Sequence, residues 1–176
     1  MKALILAAGY ATRLYPLTKE FPKPLLEIKG RPIIDYIVDK LNRVSVIDEV
    51  YLITNSKFIK FFRLWKKSIK SPKKITLIND LTKSNQDRLG AIGDINFVIK
   101  KFKVKEDLLV IGGDNLFNGS LSGFLAFSKK HILQASLGLY RLRRKSDASR
   151  YGVAKLNSQK KVVDFIEKPK HPQSNL

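Results

Sequence analysis

Cysteine is absent from the 176 residues, and there is one methionine and one tryptophan. Without cysteine there is no disulfide scaffold, no thiolate zinc site and no thiol catalysis. Histidine occurs twice, at His131 and His171, too far apart in sequence for a local histidine metal motif. Acidic residues are also scarce, with 15 Asp+Glu against 34 Lys+Arg. No uncharged apolar run approaches the ~20 residues needed to span a bilayer. The stretch Ala3-Leu4-Ile5-Leu6-Ala7-Ala8-Gly9 could pass for the core of a signal peptide, but one lysine precedes it and no convincing cleavage site follows. It reads as a buried strand of a cytoplasmic protein.

A formal charge of +19 and 44% hydrophobic residues are what the chain does have. The length suits one domain with a real core. The charge points to phosphorylated partners, whether nucleic acid, an acidic membrane or small phosphorylated molecules, without choosing among them. From Lys57 to Lys74 eight basic residues occur without an acidic one, interleaved with Phe58, Phe61, Phe62, Trp65 and Ile69. That spacing predicts an amphipathic helix with a basic outer face, either a solvated surface or a phosphate-binding one. A second cluster, Arg141, Arg143, Arg144, Lys145 and Arg150, has the same two readings.

Strand-like and helical runs alternate, the pattern of a layered α/β domain with a largely parallel sheet. Expected strands are Ala3–Ala7, Val50–Ile53, Ile75–Ile78, Leu108–Ile111 and Ala135–Tyr140, with a hairpin of Tyr151–Leu156 and Val162–Ile166 around Asn157-Ser158. Expected helices run from Pro32 to about Arg43, from about Ser56 to Lys70, from about Leu89 to Lys100, and over Leu121–His131. Beyond Glu167-Lys168-Pro169 the chain reads as a polar, loop-like tail.

The first strand leads into Ala7-Ala8-Gly9-Tyr10-Ala11-Thr12-Arg13-Leu14-Tyr15-Pro16-Leu17, followed by Phe21-Pro22-Lys23-Pro24-Leu25-Leu26. Small residues leaving a strand let backbone N–H groups approach a phosphate, and Arg13 and Lys23 supply countercharge. The alternative is a purely structural turn. With Gly9 as its one glycine, the segment is neither a Walker P-loop nor a dinucleotide G-x-G-x-x-G. Pro24 is expected to hold Lys23 extended, presenting its ammonium from a stiff stem.

These segments, together with Glu27-Ile28-Lys29-Gly30-Arg31-Pro32-Ile33-Ile34, resemble the N-terminal signature of the sugar-phosphate nucleotidyltransferases, including glucose-1-phosphate thymidylyltransferase-like members. Gly113-Asp114-Asn115, Tyr151-Gly152-Val153 and Glu167-Lys168-Pro169 are similar to that family's later segments, in the same order. The resemblance covers nearly the whole chain. It implies a Rossmann-like α/β/α fold and nucleotidyl transfer from a nucleoside triphosphate to a sugar 1-phosphate, with release of pyrophosphate. Since the acceptor phosphate is largely dianionic at neutral pH, with a second pKa of ~6, no general base is required. Catalysis then rests on positioning and charge neutralisation.

By that resemblance Arg13, Lys23 and Asp114 are the catalytic residues, with Asp114 holding Mg²⁺. Leu6, Ala8, Gly9, Ala11, Thr12, Asn85 and Gly90 would bind the nucleotide, with Leu6, Gly9 and Gly90 lining the base. Gly152, Glu167 and Lys168 would bind the acceptor. The plainer alternatives are Asp114 in an Asx-type turn, Arg13 and Lys23 as purely solvated cations, Asn85 in a simple loop, and Glu167-Lys168 as an exposed pair.

Two departures stand out. Ala11 occupies a position where the family commonly has glycine, a cost of ~1–2 kcal/mol if the backbone there is left-handed; an ordinary conformation is expected. The family usually continues past Glu-Lys-Pro with further elements and a second metal-binding Asp, so a single domain, residues 1–176, lacking C-terminal elements is expected, with low activity. Alternatives are a cytidylyltransferase for a phosphorylated alcohol such as phosphocholine, a nucleotide-binding remnant without activity, and a basic nucleic-acid-binding module.

Overall fold

Ala3, Leu4 and Ile5 are each at most 1% exposed, so the first apolar run is covered on both faces, as strands of parallel sheets are. The structure is a computed structural model and describes residues 1–131 and 133–176. Two compact units make up the chain, Met1–Gly123 and Phe124–Leu176.

The elements in chain order are β1 (Lys2–Leu6), β2 (Glu27–Ile28), β3 (Arg31–Pro32), α1 (Ile33–Asn42), β4 (Glu49–Thr54), α2 (Ile59–Ser68), β5 (Lys74–Asn79), α3 (Gly90–Phe102), β6 (Leu108–Gly112), α4 (Leu121–Lys129), β7 (Gly152–Leu156) and β8 (Val162–Glu167). In the first unit four parallel strands form one sheet in the order β5-β4-β1-β6. The chain adds β4 and β5 on one side of β1, then returns to place β6 on the other. That reversal makes a switch point between β1 and β6, and open α/β sheets bind ligands outside the carboxyl ends of strands at such a place.

Side-chain alternation along the strands divides the core. Leu4, Tyr51, Ile53 and Ile78 meet Val98 of α3, with Leu6, Ile95 and Phe97 packed around them. Ile5, Val50 and Leu52 point the other way, to the face that right-handed crossovers assign to α1 and α2. In α1 the buried Ile33, Ile34, Ile37, Val38 and Leu41 recur at helical spacing. Pro32 stands one residue before the helix, with φ −52° and ψ 140°. In α2 the buried residues are Phe62 and Trp65, and Trp65 Nε1 donates to Asp35 Oδ1 at 2.7 Å. The cationic side chains of α2 lie on its outer face, as the spacing predicts.

Three expectations need correction. Ala135–Tyr140 is not a strand: its alternating pattern has no ladder partner among the described residues, and Leu137 and Tyr140 are exposed. Lys23 is not extended: it opens a 3₁₀ turn, Lys23–Leu25, closed by Leu25 N to Pro22 O at 3.0 Å. Pro22 is the extended residue, and Pro24 fits inside the turn because it needs no N–H there. Ala11 is left-handed, with φ 47° and ψ 41°, held by Leu14 N and Thr18 Oγ1, which both donate to its carbonyl.

In the second unit β7 and β8 form the expected antiparallel hairpin. The tail folds back onto its own unit, with Ala154 N donating to Leu176 O at 2.9 Å and Leu142 N donating to Asn175 O at 2.8 Å. Among the described residues no helix is long and apolar enough to cross a membrane.

Candidate active site

A cavity of about 480 Å³ lies at the carboxyl end of the sheet in the first unit, where the chain leaves β1 and β6. It is lined by Leu6, Ala7, Gly9, Ala11, Thr12, Arg13, Leu14, Lys23, Pro24, Asn85, Arg88 and Asp114. Arg13, Lys23 and Asp114, separated widely in sequence, therefore share one wall system.

The loop after β1 owes its shape to Ala11. A left-handed residue followed by the right-handed turn Thr12–Leu14 brings successive amides to one side, a concavity suited to an anion. Gly9 is exposed, and a Cβ built on it meets nothing within 4 Å, so packing does not demand the glycine and open space lies beside it. Arg13, on the same cavity, is exposed.

The other wall depends on Gly113. Its N–H donates to Leu6 O at 2.8 Å, and a Cβ there would stand 3.0 Å from that oxygen and 3.2 Å from Pro24 Cγ. Only glycine lets the end of β6 lie so close to the end of β1. The next residue, Asp114, thereby reaches the cavity and accepts from Lys23 Nζ at 2.7 Å. The pair is part-exposed, at 35% and 39% of the side chains. Asp114 thus engages a lysine, and no backbone amide of its own turn is bonded to its carboxylate.

Among the described residues no group of three or more His, Asp or Glu side chains gathers as a metal cage. Among the described residues Asp114 is the one acidic side chain on the cavity, and a hard divalent cation shared with phosphate oxygens keeps few protein ligands. The donor set fits that arrangement, with Asp114 as the residue that would hold the ion.

Asn85 and Arg88 come from the loop between β5 and α3, and Arg88 Nη1 donates to Asn85 O at 2.6 Å. Arg88, a third cation on the cavity, was not singled out by any motif. Ala8 and Gly90 are not among the lining residues. Ala8 is buried behind the wall, its carbonyl accepting from Asn55 Nδ2 at 2.9 Å, and Gly90 opens α3 with φ 73°.

Behind the wall lies a buried polar network that the sequence did not announce. Asp80 and Asp94 are 4% and 5% exposed. Burial first, then the charge of Asp80 and a hydrogen bond to it, push the Asp94 carboxyl up to about 7. Burial likewise raises Asp80.

In the second unit, Gly152 pairs with Glu167 across the hairpin. A Cβ on Gly152 would collide with the Phe165 ring and stand 2.9 Å from Glu167 Oε2, so glycine leaves that carboxylate its place. Lys168 Nζ pairs with Glu167 Oε1 at 3.1 Å, while its N–H donates to Tyr151 O at 2.9 Å. The three residues expected to serve the acceptor are thus gathered within one unit.

Comparison with known proteins agrees with this architecture. A bifunctional protein GlmU from Methanococcus aeolicus is 30% identical over 181 residues, covering 100% of this chain and 38% of that protein. A Sulfolobus acidocaldarius protein assigned as a mannose-1-phosphate guanyltransferase is 31% identical over 177 residues, covering 100% of this chain and 46% of its own length. The chain thus spans less than half of these curated relatives. A crystal structure of a Bacillus anthracis protein assigned as a glucose-1-phosphate thymidylyltransferase shares the fold, with a TM-score of 0.74 at 24% identity, over 99% of this chain and 67% of that one. The family model described as nucleotidyl transferase matches residues 2–176, and the chain belongs to that family.

Proposed function

We propose that the chain transfers a nucleotidyl group from a nucleoside triphosphate to a sugar 1-phosphate. An acceptor phosphate oxygen bonds to the α-phosphorus, the bond from that phosphorus to the bridging oxygen breaks, and pyrophosphate leaves with the electron pair. The observation that supports this most directly is the convergence of Arg13, Lys23 and Asp114 on one cavity at the switch point of the sheet. An already anionic nucleophile needs no base, and this cavity offers charge instead.

In this reading the amides around Ala11 to Arg13 and the Arg13 guanidinium bind the β- and γ-phosphates. Lys23 neutralises charge on the reacting α-phosphate and orients the Asp114 carboxylate. A bound Mg²⁺ would supply Lewis-acid neutralisation of the triphosphate. Asn85 reads the base edge, and Arg88 adds charge beside it. Glu167 accepts from sugar hydroxyls, and Lys168 holds the acceptor phosphate. The cytoplasm is a suitable compartment for a cysteine-free chain using nucleoside triphosphates.

The test is incubation with each of the four common nucleoside triphosphates, Mg²⁺ and a panel of hexose 1-phosphates, following pyrophosphate and the sugar nucleotide. Product from at least one pair is expected. No product from any pair would overturn the proposal, and product with phosphocholine alone would transfer it to phosphorylated alcohols.

A further inference from the structure

Four buried polar side chains connect the two loops that line the cavity. Thr82 donates twice to Asp80 Oδ1, from its N–H and its hydroxyl, each at 2.8 Å. Tyr10 OH lies 3.2 Å from Thr82 Oγ1. The threonine hydroxyl has one proton and gives it to Asp80, so Tyr10 must be the donor in that contact. Every proton in the chain Tyr10, Thr82, Asp80 therefore points toward Asp80, which makes Asp80 the charged acceptor.

Two oxygens in this region are buried without a partner, Asp80 Oδ2 and Asp94 Oδ1. Asp80 and Asp94 act on each other through charge and hydrogen bonding, and with both ionised these two buried oxygens would stay unsatisfied and the carboxylates in repulsion. A proton on Asp94 donated to Asp80 satisfies both at once. Burial and the Asp80 charge favour that placement, raising Asp94 toward neutrality.

The network has mechanical reach. Tyr10 follows Gly9 in the loop after β1, and Thr82 lies three residues before Asn85. Asp80 N donates to Thr54 O and Ser56 N donates to Thr82 O, tying the turn to the end of β4. Between Asp80 and Thr82, Leu81 is held left-handed at φ 72°, a conformation that the two Thr82 bonds to Asp80 maintain. The titratable groups around the pair are Asp87, whose charge raises Asp80 from the same loop, and Tyr10 from the loop after β1, which burial and then the Asp80 charge raise; α3 contributes Asp94.

We propose that Asp80 and Asp94 share one proton and act as a positioning pair, which holds the Tyr10 loop and the Asn85–Arg88 loop in register for the nucleotide. This rests on the reading of the cavity as a nucleotide site. Loss of the shared proton leaves two buried like charges and parts Asp80, together with the Leu81–Thr82 turn bonded to it, from α3. Neither carboxyl reaches the reacting atoms.

Asp94→Asn keeps a donor toward Asp80 but cannot titrate, so it separates a titrating pair from ordinary packing. In the whole chain, the amide resonances of Tyr10 and Thr82 are followed from about pH 5 to about pH 8.5 without ligand. They are expected to shift with a common near-neutral midpoint in the native protein and to stay fixed in the variant. Static amides in the native protein, or the same titration in the variant, would overturn the pair whether or not nucleotide binds.

Nucleoside triphosphate affinity is then measured with Mg²⁺ by calorimetry for both proteins. Over the same range the native protein should lose roughly three- to tenfold more affinity than the variant, whose profile carries the titration of the γ-phosphate itself. Parallel profiles would overturn the positioning role. Absence of binding in both proteins at every pH would instead remove the proposed function, with the amide titration still deciding the proton.

Discussion

Lys23 donates to Asp114 across 2.7 Å although 91 positions separate the two in the chain. The approach depends on two different local devices. A 3₁₀ turn that follows Pro22 and contains Pro24 holds Lys23, and Gly113 packed against Leu6 holds Asp114. Neither residue is deeply buried, so the pair contributes little to stability.

Asp114→Asn should consequently abolish chemistry while sparing the fold. It removes one charge with almost no change of shape, and a metal held at Asp114 would lose its protein carboxylate. Pyrophosphate release is expected to fall by at least ~100-fold, with a thermal midpoint close to that of the native chain. Turnover within a few fold of native would refute the role of Asp114.

Arg13→Ala should weaken nucleoside triphosphate binding by roughly tenfold or more, because on the proposed function it removes a charged donor from the loop that would receive the phosphates. Calorimetry is the direct measurement. The effect should shrink for a nucleoside monophosphate, which lacks the β- and γ-phosphates; an equal loss for both ligands would place Arg13 elsewhere on the nucleotide.

How much of this could be read in advance depended on whether a residue announces itself locally. The buried strands did, because apolar runs bounded by turn residues carry their own signal. Ala135–Tyr140 carries the same alternation and is no strand, since a ladder needs a neighbour that its own residues cannot specify. The ribbon of β2 and β3 went unseen because its two-residue turn is Lys29-Gly30, both at positive φ, where asparagine or aspartate is usual at the first position. Arg13, Lys23 and Asp114 were singled out through motif strings, and the structure brings them to one cavity. Asp80 and Asp94 were not: each is a lone aspartate, and only the fold of β5 against α3 makes them neighbours.

Ala11→Gly should stabilise the chain. Ala11 sits at φ 47°, ψ 41°, where a Cβ is strained, and glycine relieves that strain. The greater freedom of glycine in the unfolded chain offsets part of the gain, leaving a net stabilisation of up to about 1 kcal/mol. Urea denaturation should show a higher midpoint with an unchanged slope. A lower midpoint would mean that the alanine methyl group contributes packing that outweighs its backbone cost.

The raised carboxyls also fix the sign of the pH dependence of stability. Asp94 moves from an ordinary value of 3.8 to about 7 in the folded chain. Between those values the native state binds a proton that the unfolded state has released, so stability falls as pH rises through that interval and levels off above it. Asp80, also raised by burial, adds in the same direction. The carboxylates of Asp48 and Asp87 are lowered, Asp48 chiefly by its hydrogen bond from Lys2 and Asp87 by the Lys83 and Ser84 amides, and their contribution is lost only in more acidic solution. Stability to urea should therefore decline from about pH 5 to about pH 7, by at most about 1.4 kcal/mol per pH unit for one proton. Asp94→Asn should flatten that decline while leaving the acid limb in place. A native chain whose stability rises over the same interval would show that Asp94 is ionised in the fold, with a cation or a water-filled space beside it.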